Sequence, residues 1–154
     1  MIRARGEYRL VATVPIGAHR RLFRIDGDKT PHPTRHSLQI GKDLHLSLNA
    51  GRSTDEILDR FYWRFMNHHC DPNTMIRRQS VIALRPIAPW EDVTFNYNTT
   101  EFDMAEPFEC RCGSPHCAGT IRGARHMRPE ERARLRPVFL RCLRADLLAA
   151  FEGE

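Results

Sequence analysis

Apolar residues recur at every second position within residues 38–48, on both sides of Gly41. The apolar positions are Leu38, Ile40, Leu44, Leu46 and Leu48. A period of two places alternate side chains on one face of a β-strand, and glycine favours the turn between two strands. This stretch therefore predicts a hairpin of two half-buried strands.

Other short runs in the chain are rich in the residues that favour β-structure. They are Tyr8 to Val14, Arg21 to Ile25, Val81 to Leu84 and Val93 to Tyr97. The Asp-Gly-Asp sequence at 26–28 predicts a turn after the second run. Residues 53–56, Ser-Thr-Asp-Glu, have the composition of a helix start. The pattern predicts a mainly β fold, in the sense of a β-rich α+β chain.

The composition changes after Gly123, and from Pro129 onwards good helix formers dominate. An apolar stripe follows the period of the helix: Leu135, Phe139, Leu143 and Leu147. Pro137 is expected to kink this helix or to split it in two. We expect the stripe to pack on the domain and the arginines beside it to stay in solvent: Arg134, Arg141 and Arg144. A homodimer face or a face for an anionic partner is the alternative.

Length and composition suit one soluble globular domain, with 154 residues, 41% hydrophobic and 28% charged. No apolar stretch is long enough to span a membrane. The first residues have no apolar run after their basic positions, so no secretory signal is expected. The net charge of +5 would suit an anionic partner. Much of it is arginine near the C-terminus, so nucleic-acid binding is not expected as the main function.

The five cysteines indicate a metal site, because a chain without an export signal does not favour disulfides. Four of them lie in the motifs NH-x-C-x-PN and C-x-C-x4-C: Cys70, Cys110, Cys112 and Cys117. Four thiolates complete a tetrahedral zinc site that would join two distant segments. His69 and His116 are alternative ligands, and unconnected thiols are the alternative to any metal. Cys142 is expected to be a small buried residue of the C-terminal helix.

The order of these motifs resembles one enzyme family. The sequence RF-x-NH begins at Arg64, a strand ends in Tyr97, and C-x-C-x4-C follows. Over residues 64–119 this order resembles the SET-domain protein-lysine methyltransferases with a post-SET zinc loop, of the short, stand-alone kind found in microbes. The resemblance implies a fold of small sheets around a pseudoknot, a zinc-clipped loop and a C-terminal helix. The boundaries expected from it are 1–105 for the SET domain, 106–123 for the post-SET loop and 124–154 for the helical extension.

The resemblance also implies roles for four residues. Asn67 and His68 would contact the cofactor S-adenosylmethionine, Tyr97 would be catalytic, and Phe95 would line the substrate channel. Phenylalanine there implies di- or trimethylation, since the family's tyrosine limits the product. From the residues alone, an Asn-His pair is commonly a capped turn and a strand-end tyrosine commonly packs. Arg64 can pair with an acidic residue or reach the cofactor carboxylate, and its role stays open.

The chain departs from the family pattern at several positions. Gly6 stands alone where a Gly-x-Gly turn is usual, and Trp90 and Asn96 replace a glycine and an aspartate. Ile121 or Thr120 stands where an aromatic residue usually follows the last cysteine. The segment at 83–92 otherwise matches the family's approach to the catalytic strand.

Three functions follow from this pattern. We expect a lysine methyltransferase acting on a protein, such as a histone or another basic protein. A catalytically silent SET module that binds a partner is the first alternative, and a zinc-dependent nucleic-acid-binding module is the second. A cytoplasmic location is expected, or a nuclear one if the substrate is chromatin.

Overall fold

The computed structural model describes residues 1–4 and 7–142, with the side chains of residue 1 and residues 7–138. The strands are β1 (Ile2–Ala4), β2 (Glu7–Arg9), β3 (Arg21–Arg24), β4 (Asp28–Thr30), β5 (Leu38–Gly41), β6 (Leu44–Ser47), β7 (Asn67–His68), β8 (Thr74–Arg77), β9 (Ser80–Ala83), β10 (Thr94–Phe95), β11 (Phe108–Glu109) and β12 (Thr120–Ile121). The α-helices are α1 (Thr54–Arg60) and α2 (Pro129–Cys142), and 3₁₀ helices cover Tyr62–Phe65, Tyr97–Thr99 and Ala124–His126. The described chain is therefore mainly β, as the sequence predicts.

The strands of the described ranges form small separate sheets. Two of them have three strands, in the orders β3-β9-β8 and β4-β6-β5. β1 with β2, and β11 with β12, form antiparallel pairs, whereas β7 and β10 pair in parallel. The parallel pair brings together two segments that are far apart in sequence, and it positions the candidate site.

The predicted hairpin forms as β5 and β6, in which Leu38 pairs with Leu46. Both leucines are buried, while Leu44 remains partly exposed at the start of β6. The predicted helix start is also confirmed, because the Glu56 N–H donates to the side-chain oxygen of Ser53 at 3.1 Å. This bond satisfies one of the free N–H groups at the start of α1.

The main core lies between these sheets. Its buried members include Ile25, Leu46, Trp63, Val81 and Phe95. The indole N–H donates to the backbone oxygen of Asp26 at 2.8 Å, so the polar end of this large side chain is satisfied within the core. The 3₁₀ helix that carries Trp63 is thereby fixed directly before β7.

Two strands are shorter than the sequence pattern predicts. β2 ends at Arg9, after which the chain makes only isolated bridges in the described ranges, from Val11 to Asp92 and from Ile16 to Ile87. β10 ends at Phe95, and Tyr97 begins a 3₁₀ helix instead of closing the strand. The cause is local, because the side-chain oxygen of Asn96 accepts the Asn98 N–H at 3.0 Å and caps the turn.

The helix α2 runs through Pro137 as one element, so the alternative of a split helix is wrong. Leu135 is buried in a second cluster with Ala124 and Met127, and half-buried Phe102 packs against it. The rest of the predicted stripe lies outside the described residues or side chains, and so do Arg141, Cys142 and Arg144. The alternative of a homodimer face depends on that stripe, so the described residues do not test it. None of the helices in the described ranges has the length and apolar character that crossing a membrane requires.

Candidate active site and metal centre

The parallel pairing of β7 with β10 builds the centre of the site. Thr94 stands beside Asn67, and Phe95 stands beside His68. The His69 N–H extends this pairing by donating to the Phe95 oxygen at 3.1 Å. The predicted cofactor residues and the predicted channel residue are therefore neighbours.

Asn73, the last residue of the NH-x-C-x-PN motif, fixes β10 in this position. Its side chain is buried, and its amide donates to the Asp92 oxygen at 2.6 Å and to Glu91 Oε1 at 3.0 Å. Its own oxygen accepts the Thr94 N–H at 3.0 Å. Sequence reasoning gave this asparagine no role, although its place in the motif was visible.

His68 connects the centre of the site to the cysteines. Its Nδ1 accepts the Tyr97 N–H at 3.1 Å, and its Nε2 lies 3.3 Å from Cys70 Sγ. Burial lowers the pKa of His68 to about 3, with a smaller contribution from His69, so the imidazole is neutral at physiological pH. Because Nδ1 is an acceptor, the neutral ring carries its proton on Nε2 and donates it to the sulfur.

Tyr97 is held as a neutral phenol. Its hydroxyl donates to the Met66 oxygen at 2.8 Å. Burial raises the pKa of Tyr97 to about 12, and the charge of Glu101 acts in the same direction. Since the hydroxyl proton is donated to the Met66 oxygen, the lone pairs of the phenol oxygen face away from this bond and can accept another hydrogen bond.

Phe95 and Tyr97 form one wall of a narrow cavity of about 70 Å³. Their ring centroids lie 4.8 Å apart, and Phe95 is buried. Leu38, Trp63 and Met66 contribute further apolar lining. The apolar part of this lining suits a thin apolar chain.

A larger cavity of about 880 Å³ also has Tyr97 in its lining. Tyr8, Asn67, His68 and Phe108 line it as well. Its volume lies within the range of small-molecule and cofactor sites. Tyr97 therefore lies where a narrow apolar cavity and a cofactor-sized cavity meet.

Arg64 also lines both cavities. Burial lowers the pKa of its half-buried guanidinium from the usual value, and the charge of Tyr97 opposes this shift. In the described part of the chain, no ion pair or side-chain hydrogen bond involves this guanidinium. The acidic partner that the sequence left open is not found there, so the site holds a cation that can meet an anionic group.

Phe108 supplies an aromatic wall that sequence reasoning missed. Its ring lies edge-on to His68 at 5.7 Å and to Tyr97 at 5.9 Å. It pairs with Ile121 in the short sheet of β11 and β12. Phe108 precedes the C-x-C motif, whereas the family pattern has its aromatic residue after the last cysteine.

The four predicted cysteines come together, and their sulfur atoms all lie within 4.8 Å of one another: Cys70, Cys110, Cys112 and Cys117. Four sulfurs bound at about 2.3 Å in a tetrahedron lie about 3.8 Å apart. The sulfurs of Cys70 and Cys110 are 3.8 Å apart. The donor set and the spacing therefore fit a zinc ion.

The thiols differ in their acidity. Burial raises the pKa of Cys70 to about 11. Burial also acts upward at Cys112, but backbone hydrogen bonds at Cys70 and Ser114 and bonds from Cys110 and Cys117 outweigh it and lower the pKa to about 6. A cluster with one ready thiolate needs a cation to stabilise the others as thiolates.

Arg134 of α2 points inward to the cysteine cluster, which corrects the expectation that it stays in solvent. Its Nη1 donates to the backbone oxygen of Cys70 at 2.9 Å, and the Asn96 amide donates to the same oxygen at 3.5 Å. The Ala118 N–H donates to Cys70 Sγ at 3.3 Å. Cys70 is therefore held by hydrogen bonds from α2, from the chain after β10 and from the loop that carries the three later cysteines.

Comparison with known proteins gives the family. Residues 7–98, more than half of the chain, match the SET domain model. The chain is 35% identical over 117 residues to a "Histone-lysine N-methyltransferase, H3 lysine-36 specific" of Gibberella zeae, covering 66% of this chain and 13% of that protein. It is 33% identical over 125 residues to "Methyltransferase flvH" of Aspergillus flavus, covering 77% and 62%.

A solved structure described as KRYPTONITE in complex with mCHG DNA and SAH has the same fold. The TM-score is 0.54 at 17% sequence identity, covering 71% of this chain and 26% of that one. The mainly β fold predicted from the sequence is thereby confirmed. The chain spans less than two thirds of each of these proteins. By its match to the family model, this chain belongs to the SET-domain family.

Proposed function

We propose that this chain is an S-adenosylmethionine-dependent protein-lysine N-methyltransferase. The observation that carries the proposal is the position of Tyr97, with its hydroxyl fixed by Met66 and its ring lining both cavities. Membership of the SET family supports this chemistry, and so does the similarity to the histone-lysine N-methyltransferase of Gibberella zeae.

The larger cavity suits the cofactor. A bound S-adenosylmethionine supplies a methyl group on a positively charged sulfur. The side chain of Asn67 is exposed at this cavity and offers an amide donor and acceptor. The unpaired guanidinium of Arg64 suits a carboxylate, such as that of an amino-acid group. Phe108 offers an apolar ring beside them.

The narrow cavity suits the lysine side chain. Leu38, Trp63, Met66 and Phe95 contribute apolar lining, against which four methylene groups can pack. Apolar surroundings disfavour the charged ammonium and favour the neutral amine, whose lone pair makes it the nucleophile.

Tyr97 acts on this reaction as a positioning hydrogen-bond acceptor. A phenol with a pKa of about 12 stays protonated at neutral pH, so it does not remove the proton of the amine. Its oxygen is fixed and buried, and it can accept a hydrogen bond from a polarised C–H or N–H group without reorganising. This holds the reacting groups in line and keeps water out.

Phe95 supports the transfer of more than one methyl group. Its ring has no polar atom and lies 4.8 Å from the ring of Tyr97. A methylated amine in the narrow cavity therefore meets no polar atom on the side of Phe95. We infer di- or trimethylation from this contact and from the family's use of the position.

The cysteine cluster supports the proposal of one structural zinc ion. Four cysteines leave no ligand position open, which is the arrangement of structural and not catalytic zinc. The hydrogen bond from His68 to Cys70 would make the metal part of the support of the cofactor residues. Two of the cysteines, Cys110 and Cys112, also line the larger cavity, which agrees with this connection.

The substrate we propose is a histone or another basic protein. Two glutamates and two arginines line the narrow cavity, and Glu106 pairs with Arg35 at 3.6 Å, so the support for this substrate comes from the relatives and not from the charge of the cavity. The histone-modifying relatives favour a nuclear substrate, and a cytoplasmic basic protein is the other possibility.

The silent SET module remains the rival, because Gly6 stands alone where the family has Gly-x-Gly. Calorimetric titration of S-adenosylhomocysteine into the zinc-loaded protein separates the two. The methyltransferase proposal expects binding of one equivalent, weakened at least about 10-fold in Asn67→Ala. A zinc-loaded, folded protein that gives no binding heat and no spectroscopic change would favour the silent module.

A further inference from the structure

A second large cavity, of about 580 Å³, is an open groove between residues 10–17 and β3. Five large apolar residues of the described ranges are notably exposed: Met1, Val14, Leu44, Tyr62 and Trp90. Met1, Val14 and Tyr62 line the groove. The Trp90 N–H donates to the oxygen of Ala12, another lining residue, at 2.7 Å. Three of these five residues therefore line the groove, and a fourth is bonded to it through its backbone.

Trp90 occupies a position that suits glycine. The Glu91 N–H donates to the Ala88 oxygen at 3.2 Å, with Pro89 second in this turn and Trp90 third at a φ of 67°. A proline followed by a positive φ is the signature of a type II turn, in which glycine is favoured third. The indole nevertheless remains 68% exposed, so no burial within the described chain compensates for the strained backbone.

In the part of the chain that the structure describes, the groove also has a free strand edge. β3 pairs with β9 on one side and is the terminal strand of the order β3-β9-β8. Leu22 and Phe23 of this strand line the groove. An unpaired strand edge beside apolar pockets suits an extended peptide, which adds a strand and places alternate side chains in the pockets.

The charge of the groove selects among such peptides. Arg20 and Arg21 line it, and no aspartate or glutamate does. Within the described ranges, neither arginine makes an ion pair or a side-chain hydrogen bond. Two exposed, uncompensated guanidinium groups favour carboxylates in the occupant. A mainly apolar groove beside a strand edge suits a peptide better than a nucleic acid, which needs a longer basic track.

We propose that this groove is a docking site for an extended segment of a partner protein, in which apolar residues alternate with aspartate or glutamate. Trp90, whose exposed indole follows a backbone bonded to Ala12 of the groove, would be its anchor. No residue that lines this groove lines either cavity at Tyr97. The groove would therefore recruit a partner without blocking catalysis.

The test uses short peptides selected from a random displayed library on the zinc-loaded protein and then synthesised with a fluorescent label. We expect selected peptides to alternate apolar and acidic residues. Their affinity should fall at least about 10-fold in Val14→Glu and in Arg21→Glu. Leu44→Glu is the matched control, because it adds the same charge at an exposed leucine that does not line the groove.

Trp90→Gly separates a loss of binding from a loss of stability, because the two are expected to change in opposite directions. Glycine relieves the turn, so the melting temperature should rise by a few degrees. The affinity for the selected peptides should nevertheless fall severalfold, because the anchor is gone. Binding of S-adenosylhomocysteine should not change in any of these variants, which separates this proposal from the methyltransferase proposal.

Three results would overturn the docking site. The first is a library that yields no enriched peptides, or basic ones. The second is a set of enriched peptides that bind the Val14→Glu and Arg21→Glu variants as tightly as the unmodified protein. The third is binding of a labelled oligonucleotide that Arg21→Glu abolishes and Val14→Glu leaves intact, which would assign the face to nucleic acid.

Discussion

The N–H of Tyr97 donates to Nδ1 of His68 at 3.1 Å. This bond fixes the start of the 3₁₀ helix at Tyr97 to the strand that carries the proposed cofactor residues. It also sets the tautomer of His68, so that the other ring nitrogen donates to the sulfur of Cys70. One neutral imidazole therefore connects the proposed catalytic residue to the proposed zinc site.

Because of this connection, we expect the two proposed cofactor residues, Asn67 and His68, to behave differently. Asn67→Ala should weaken binding of S-adenosylhomocysteine at least about 10-fold and leave zinc affinity unchanged, because no side-chain hydrogen bond joins Asn67 to a cysteine in the described ranges. His68→Ala should weaken both, with zinc affinity falling about 10-fold because a hydrogen bond to a ligand is lost. Calorimetry and a competitive zinc chelator measure the two affinities. Equal cofactor affinity in both folded variants would remove these residues from the site.

The cysteine cluster predicts one zinc ion per chain. Elemental analysis of protein purified without chelators should find about one equivalent, and Cys110→Ser should lose most of it. Removing zinc should unfold the C-terminal loop and abolish cofactor binding, since Cys110 and Cys112 line the larger cavity. A disulfide among the four cysteines, or a fully folded metal-free protein that binds cofactor normally, would contradict this account.

Arg134 predicts a role for α2 in holding the metal. Arg134→Ala removes the hydrogen bond to the Cys70 oxygen and should lower zinc affinity about 10-fold. Arg134→Lys should recover part of this loss, because lysine keeps one donor and the positive charge. Arg136→Ala is the control, an exposed arginine on the same helix. Equal losses in the two alanine variants would show that the effect belongs to the helix as a whole.

Phe95→Tyr should change the product and not the first step. The added hydroxyl would take up space and bind the amine or a water molecule at the wall of the narrow cavity, so monomethylated product should accumulate. Mass spectrometry of a methylated substrate counts the methyl groups. Phe23→Tyr is the control, because Phe23 lines neither cavity at Tyr97. An unchanged product distribution in Phe95→Tyr would contradict the assignment of the narrow cavity.

Local patterns predicted much of this structure. The hairpin of Leu38 and Leu46 follows from a period of two, and the start of α1 follows from the cap at Ser53. The cysteine spacing predicted the cluster, because metal ligands impose strict requirements on residue type. In each case, the information lies within a short stretch or in a chemically specific residue.

The features that the sequence did not predict depend on tertiary contacts. Arg134 has the period of a solvent-facing arginine, and only the packing of α2 brings it to the Cys70 oxygen. The 3₁₀ helix at Tyr97 depends on the side chain of Asn96, which competes with the strand pattern. Phe108 reaches the site only through its pairing with Ile121. A single sequence contains no signal for such contacts.

Methyl transfer at Tyr97 is measured by following a labelled methyl group from S-adenosylmethionine to a lysine. The assay offers purified histones and other basic proteins to the zinc-loaded chain. The account predicts labelled lysine with the unmodified protein, and a turnover at least about 10-fold lower in Tyr97→Phe, with cofactor affinity within a few-fold. Full turnover in Tyr97→Phe, or no transfer to any lysine by a protein that binds the cofactor, would contradict it.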